Sequence, residues 1–133
     1  MANGTIAFDT LQTSGQITGT AKSVDTDYVV SGSAKAWINF NGSGTIATRD
    51  SLNVTSITDD GTGSYTITIN NDMANANYCT TSGVGRAGLA SCTFINDATW
   101  AATTGSGAVI CANSSNAAFD PPAVLASFLG DLA

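Results

Sequence analysis

The chain contains no histidine and no glutamate. The first absence removes Ser-His-Asp and Cys-His nucleophile systems, and with them every metal site that needs an imidazole. The second removes one of the best helix formers and leaves aspartate, an acid favoured at caps and turns, to carry all the negative charge. Charge of either sign is scarce. Only 11% of the 133 residues are charged, against roughly 25% in typical globular proteins, so Asn, Ser, Thr and Gly supply most of the polar surface. The four basic residues are Lys22, Lys35, Arg49 and Arg86, and the net charge is −6. That balance opposes contact with a phosphate backbone, so nucleic acid is not expected as a partner. No stretch approaches the ~20 apolar residues that span a bilayer, and Met1-Ala2-Asn3-Gly4 opens no secretion signal, so membrane insertion is not expected either.

Cysteine is present but unpatterned. Cys79, Cys92 and Cys111 are an odd number without C-x-x-C spacing, which fits neither a disulfide framework nor a zinc knuckle. We read them as buried small hydrophobes. A Cys79–Cys92 bridge across a hairpin is the competing arrangement.

What the sequence does have is period-2 alternation. A length of 133 residues suits one modest core. From Met1 to Ser33 apolar residues are sparse and glycines frequent, which predicts short strands or an extended arm packed on something else. From residue 34 the pattern sharpens. Lys35 to Phe40 reads as a strand, and Asn41-Gly42-Ser43-Gly44 as a turn into Thr45 to Thr48. Leu52 to Ile57 and Ser64 to Asn70 read as strands joined through Asp59 to Gly63. In the latter strand Tyr65, Ile67 and Ile69 share one face, as a half-buried antiparallel strand requires. Short candidates follow at 77–82, 90–95, 107–112 and 123–129, the last fitting a helical turn or a strand. The expected fold is all-β: an antiparallel β-sandwich-like domain over 34–133 preceded by an arm over 1–33.

Few residues point to chemistry. Asp59 with Asp60, Asp25 with Asp27, or Asp97 with Asp120 are the carboxylate pairs a glycosidase would need. Asp59 and Asp60 fall where Asp is favoured for turn geometry alone. Gly83-Val84-Gly85-Arg86-Ala87-Gly88 matches G-x-G-x-x-G, but no helix follows to aim its N-terminus at a phosphate, so it reads as a flexible loop. Asp25-Thr26-Asp27 and Asp59-Asp60-Gly61 lack the spaced oxygen ligands of a calcium loop. The Asn-x-Ser/Thr triplets are expected by chance in this composition. No cofactor, metal or catalytic residue is expected, and the chain is read as no enzyme. Trp37, inside a strongly patterned strand, reads as core or interface. Trp100 is the better exposed aromatic, with core packing its competing role. Arg86, Asn96, Asp97 and Trp100, on polar connections of the second half, form the candidate receptor-binding set: a flat surface, hydrogen-bond groups and a charge.

The run from Ala34-Lys35-Ala36-Trp37-Ile38-Asn39-Phe40-Asn41-Gly42 through Asn53-Val54-Thr55-Ser56-Ile57-Thr58-Asp59-Asp60-Gly61-Thr62-Gly63-Ser64-Tyr65-Thr66 resembles a module at the distal end of bacteriophage tail fibres. Tyr28-Val29-Val30-Ser31-Gly32-Ser33 resembles its lead-in. The resemblance implies a β-rich virion tail component, usually a homotrimer, assembled in the host cytoplasm with reduced thiols. Its exposed end would contact a host surface glycan or protein, and residues 1–33 would attach it to other tail or baseplate proteins. A short tail fibre or fibre tip is the expectation. A purely structural collar, baseplate or decoration protein is the alternative.

Overall fold

Successive side chains of a strand leave opposite faces, so a stretch with apolar residues at every second position must cover something. Ala36, Ile38 and Phe40 meet that condition, as do Tyr65, Ile67 and Ile69. A computed structural model of the chain describes residues 10–13, 22–85, 90–93, 102–113 and 115–133, with side chains from residue 28 onward except those of 90–93. Both runs lie in strands, and all six residues are buried.

The elements are β1 (Thr10–Thr13), β2 (Lys22–Asp25), α1 (Thr26–Gly32), β3 (Ala34–Asn41), β4 (Ala47–Leu52), β5 (Val54–Gly61), β6 (Ser64–Ile69), β7 (Cys79–Gly85), β8 (Ala90–Thr93), β9 (Ser106–Asn113) and β10 (Ala123–Leu129). β1 and β2 pair with each other. The rest form two four-stranded antiparallel sheets, β4-β3-β10-β7 and β5-β6-β9-β8. Their inner faces share one core, to which Phe40, Val124 and Phe128 come from the first sheet and Tyr65, Ile67 and Val109 from the second. Each such side chain contributes on the order of 2 kcal/mol through burial. The all-β, sandwich-like expectation holds at this level.

Three devices hold the two sheets in place. The chain passes from β4 to β5 through Asn53, which sits at φ 55°, a region asparagine tolerates better than most residues. Its Nδ2 donates to the carbonyls of Lys35 (3.0 Å) and Asn71 (3.1 Å), while its Oδ1 accepts from the Asn71 backbone N–H at 2.7 Å. At one end, the Tyr65 hydroxyl proton lies within reach of the Asp120 carboxylate (2.9 Å) and the Gly42 carbonyl (3.1 Å). Asp120 also accepts from the Gly63 N–H at 2.6 Å. Gly63 has φ 70°, and a Cβ there would meet the Cys111 carbonyl oxygen at 2.4 Å, so only glycine fits. At the other end Tyr78 donates to the Ser106 carbonyl (2.6 Å) and meets the Phe128 ring edge-to-face at 5.8 Å. Burial pushes the Tyr78 phenol up to about 12. Burial, then the hydrogen bond to Asp120, raises Tyr65 as well.

Several expectations need correction. Leu52 to Ile57 is not one strand, because Asn53 breaks it into the end of β4 and the start of β5. Gly83-Val84-Gly85 belongs to β7, paired with Leu125, Val124 and Ala123, and is not a loop. The segment 123–129 resolves as a strand because its alternate residues Val124, Ala126 and Phe128 are buried. Thr26–Gly32 is a short helix, where the valines and glycines had suggested strand or arm. Lys35 closes its last turn, donating to the Val30 carbonyl and the Ser33 hydroxyl. Cys111 is buried as expected, but Cys79 is exposed. The Cys79–Cys92 hairpin pairing does not form, since Cys79 lies opposite Leu129 in one sheet and Cys92 opposite Cys111 in the other.

Candidate functional site

Inward residues of β3 and β10 are fixed by the core, and parity then dictates what faces out. On β3 these are Trp37 and Asn39; on β10 they are Leu125 and Ser127. The register aligns them with β7 and β4 in two rows. One runs Leu52, Trp37, Ser127, Thr81, and the next runs Asp50, Asn39, Leu125, Gly83. Trp37 is therefore on the outer surface, half-buried, and is not part of the core. Of the two roles expected for Trp37, core or interface, the core one is corrected, because Ala36, Ile38 and Phe40 occupy the opposite parity.

Over these rows lies a shallow groove of about 340 Å³, lined by Trp37, Asn39, Thr81, Gly83, Leu125 and Ser127. Leu52 and Leu125 are 49% and 45% exposed, so the groove has apolar shoulders. Its polar groups are set in defined orientations. Arg49 donates to Asn39 Oδ1 at 3.2 Å and to the Phe40 carbonyl at 3.2 Å. A guanidinium only donates, so the atom it touches must be the amide oxygen, and the Asn39 Nδ2 protons are left to be offered elsewhere. The Thr81 and Ser127 hydroxyls share one hydrogen bond of 2.7 Å, which leaves a donor on one of them and acceptor capacity on both.

Gly83 differs from the other strand glycines. A Cβ on Gly107 would strike the Phe128 ring at 2.4 Å, so the core demands a glycine there. A Cβ on Gly83 would meet nothing within 4 Å, and its φ is not positive. Glycine weakens a strand interior, and where neither backbone nor packing requires it, it marks a place another molecule can approach closely.

The groove carries no titratable side chain. Where carboxylates do come near other groups they accept from turn N–H groups and neighbouring hydroxyls: Asp59 from the Gly61 N–H at 3.0 Å, Asp60 from the Thr66 hydroxyl at 2.7 Å, and Asp120 from the Gly63 N–H and the Tyr65 hydroxyl. Among the described residues no cluster of three potential metal ligands occurs. Arg86, Asn96, Asp97 and Trp100 lie outside the described residues, as does the Asp97 half of the Asp97–Asp120 pair. The groove residues were missed although parity alone announced Trp37, Asn39 and Leu125: each is out of step with its buried neighbours. No family model, curated protein or solved structure matches the chain.

Proposed function

We propose that the chain is a non-enzymatic recognition subunit of the tail-fibre kind, whose outer sheet face contacts the surface of a host cell. The observation that carries this reading is the groove around Trp37, an aromatic and oriented polar groups held on the middle of a hydrogen-bonded sheet. A rigid sheet is a precise platform for such groups. The resemblance of residues 34–66 to a distal fibre module supports the virion setting and assembly as a homotrimer. The exposed Tyr28, Val29 and Val30, at 77%, 45% and 46%, support contacts of the N-terminal segment with further copies or with tail and baseplate proteins.

Virions assembled with Gly83→Leu chains test the reading. The expected result is adsorption to host cells slowed at least tenfold with particle yield unchanged. Unchanged adsorption would overturn it and favour a collar, baseplate or decoration role. Release of reducing ends from host envelope polysaccharide by the purified chain would contradict the non-enzymatic part.

A further inference from the structure

We propose that the outer-face groove is a subsite for one uncharged pyranose ring, stacked on Trp37 and hydrogen-bonded by Asn39 and the Thr81–Ser127 hydroxyl pair. This rests on the reading of the groove as a recognition surface and specifies its ligand.

The occupant follows from what the groove offers and what it withholds. Its lining has no charged residue, although the chain carries ten acids. On the neighbouring strand β4 the consecutive Arg49 and Asp50 are of opposite sign, Arg49 held by Asn39 and the carbonyls of Phe40 and Pro122 and Asp50 accepting from the Ser51 N–H. An anionic or cationic ligand would find no counter-charge in the lining itself and would meet charges of both signs beside it, so neither sign of ligand is favoured. A peptide strand is also a poor fit. The groove lies over β3, β10 and β7; β3 and β10 are paired on both sides, and the unpaired edge of β7 is on the side away from β10, so an added strand would lie beside the groove and not in it. For a second copy of the chain the apolar area is small: Leu52 and Trp37 are neighbours, but Ser127 and Thr81 complete their row, and Leu125 stands between Asn39 and Gly83 in the next.

A neutral sugar needs the opposite of all these. One face of a pyranose is a sheet of C–H groups that packs on an indole, and its rim hydroxyls both donate and accept. Trp37 supplies the aromatic surface. Asn39 supplies N–H donors whose direction Arg49 sets, and the hydroxyl pair supplies mixed donor and acceptor capacity at the next strand. Gly83 keeps the end of the second row open, for which the fold itself gives no reason. A cavity of about 340 Å³ lies near the lower end of the roughly 300–1,000 Å³ usual for small-ligand sites, the size for a ring rather than a long chain.

Saturation-transfer NMR on the whole chain tests the assignment, with methyl β-glucoside, methyl α-galactoside and N-acetylglucosamine as neutral probes and glucuronate as the charged control. At least one neutral probe is expected to bind, and glucuronate more weakly. Trp37→Ala, Gly83→Leu and Asn39→Ala are each expected to weaken binding at least tenfold while the thermal transition is retained. Asn39→Ala adds no bulk, so it remains informative if Gly83→Leu does not fold. Failure of every neutral probe, equal binding of glucuronate, or binding indifferent to Gly83→Leu and Asn39→Ala would overturn the sugar assignment. If the probes fail while virion adsorption still depends on Gly83, the recognition surface stands and its ligand is a protein. If adsorption is also indifferent, both readings fall.

Discussion

The two faces of the β4-β3-β10-β7 sheet are built from alternate residues of the same strands, yet they obey different rules. On the inner face each residue has a reason in the fold. Phe40 packs edge-to-face on Tyr65 at 5.1 Å, and Phe128 meets Tyr78 and covers Gly107 of the facing sheet, which is small for that reason. On the outer face Trp37 stands clear of the core and Gly83 has open space above it, and the core requires neither choice. Residues that the fold does not require are where function is sought.

The contrast is sharpest in stability measurements, since inner-face changes should be severe and outer-face changes mild. Phe40→Ala is expected to cost about 3–5 kcal/mol in a urea melt, because it empties a fully buried aromatic site. Gly107→Ala should follow, at about 1–3 kcal/mol, from overpacking against Phe128. The tyrosines extend the comparison to pH. Both phenols are held neutral above their ordinary value of 10.0, so the stability they add is complete below pH 10. It is lost as pH rises, through about 12 for Tyr78 and beyond for Tyr65. A melting temperature level to about pH 9 and falling above 10 is expected, with the fall reduced in Tyr78→Phe; a fall beginning near neutrality would break this account.

Outer-face changes complete the series. Trp37→Ala is expected to cost about 1 kcal/mol or less, as a half-buried surface substitution. Gly83→Ala should be the smallest, within about 0.5 kcal/mol and on the stabilising side, because alanine suits a strand better than glycine where space is free. If Trp37→Ala proves as costly as Phe40→Ala, the indole is a packing residue and the two faces do not differ as described.

Much of the inner face could be read in the sequence, because Tyr65, Ile67 and Ile69 or Ala36, Ile38 and Phe40 alternate with polar or outward residues over enough length to fix parity. The sandwich follows from several such strands separated by turns. The groove was hidden for a different reason. Trp37 looks like core to any rule that counts aromatic residues in strands, and only its parity against Ile38 and Phe40 contradicts that. Thr81, Gly83, Leu125 and Ser127 come together through the β3-β10-β7 register, a long-range pairing that local sequence does not encode. Gly83 was concealed further by its place in a G-x-G-x-x-G run, which drew attention to loops. Asn53 could not be recognised as a corner from Leu-Asn-Val-Thr, since its positive φ depends on hydrogen bonds to Lys35 and Asn71.

The central claim is that molecules from outside meet this protein on the outer sheet face at Trp37. Amide and indole chemical shifts of the isotope-labelled chain, followed while host surface polysaccharide is added, test it most directly. The account predicts that the Trp37 indole N–H, the Asn39 side-chain amide and the Gly83 amide move together, while the amides of Ile67 and Val109 in the other sheet move less. Shifts confined to other regions of the chain, with the Trp37, Asn39 and Gly83 signals fixed, would contradict it.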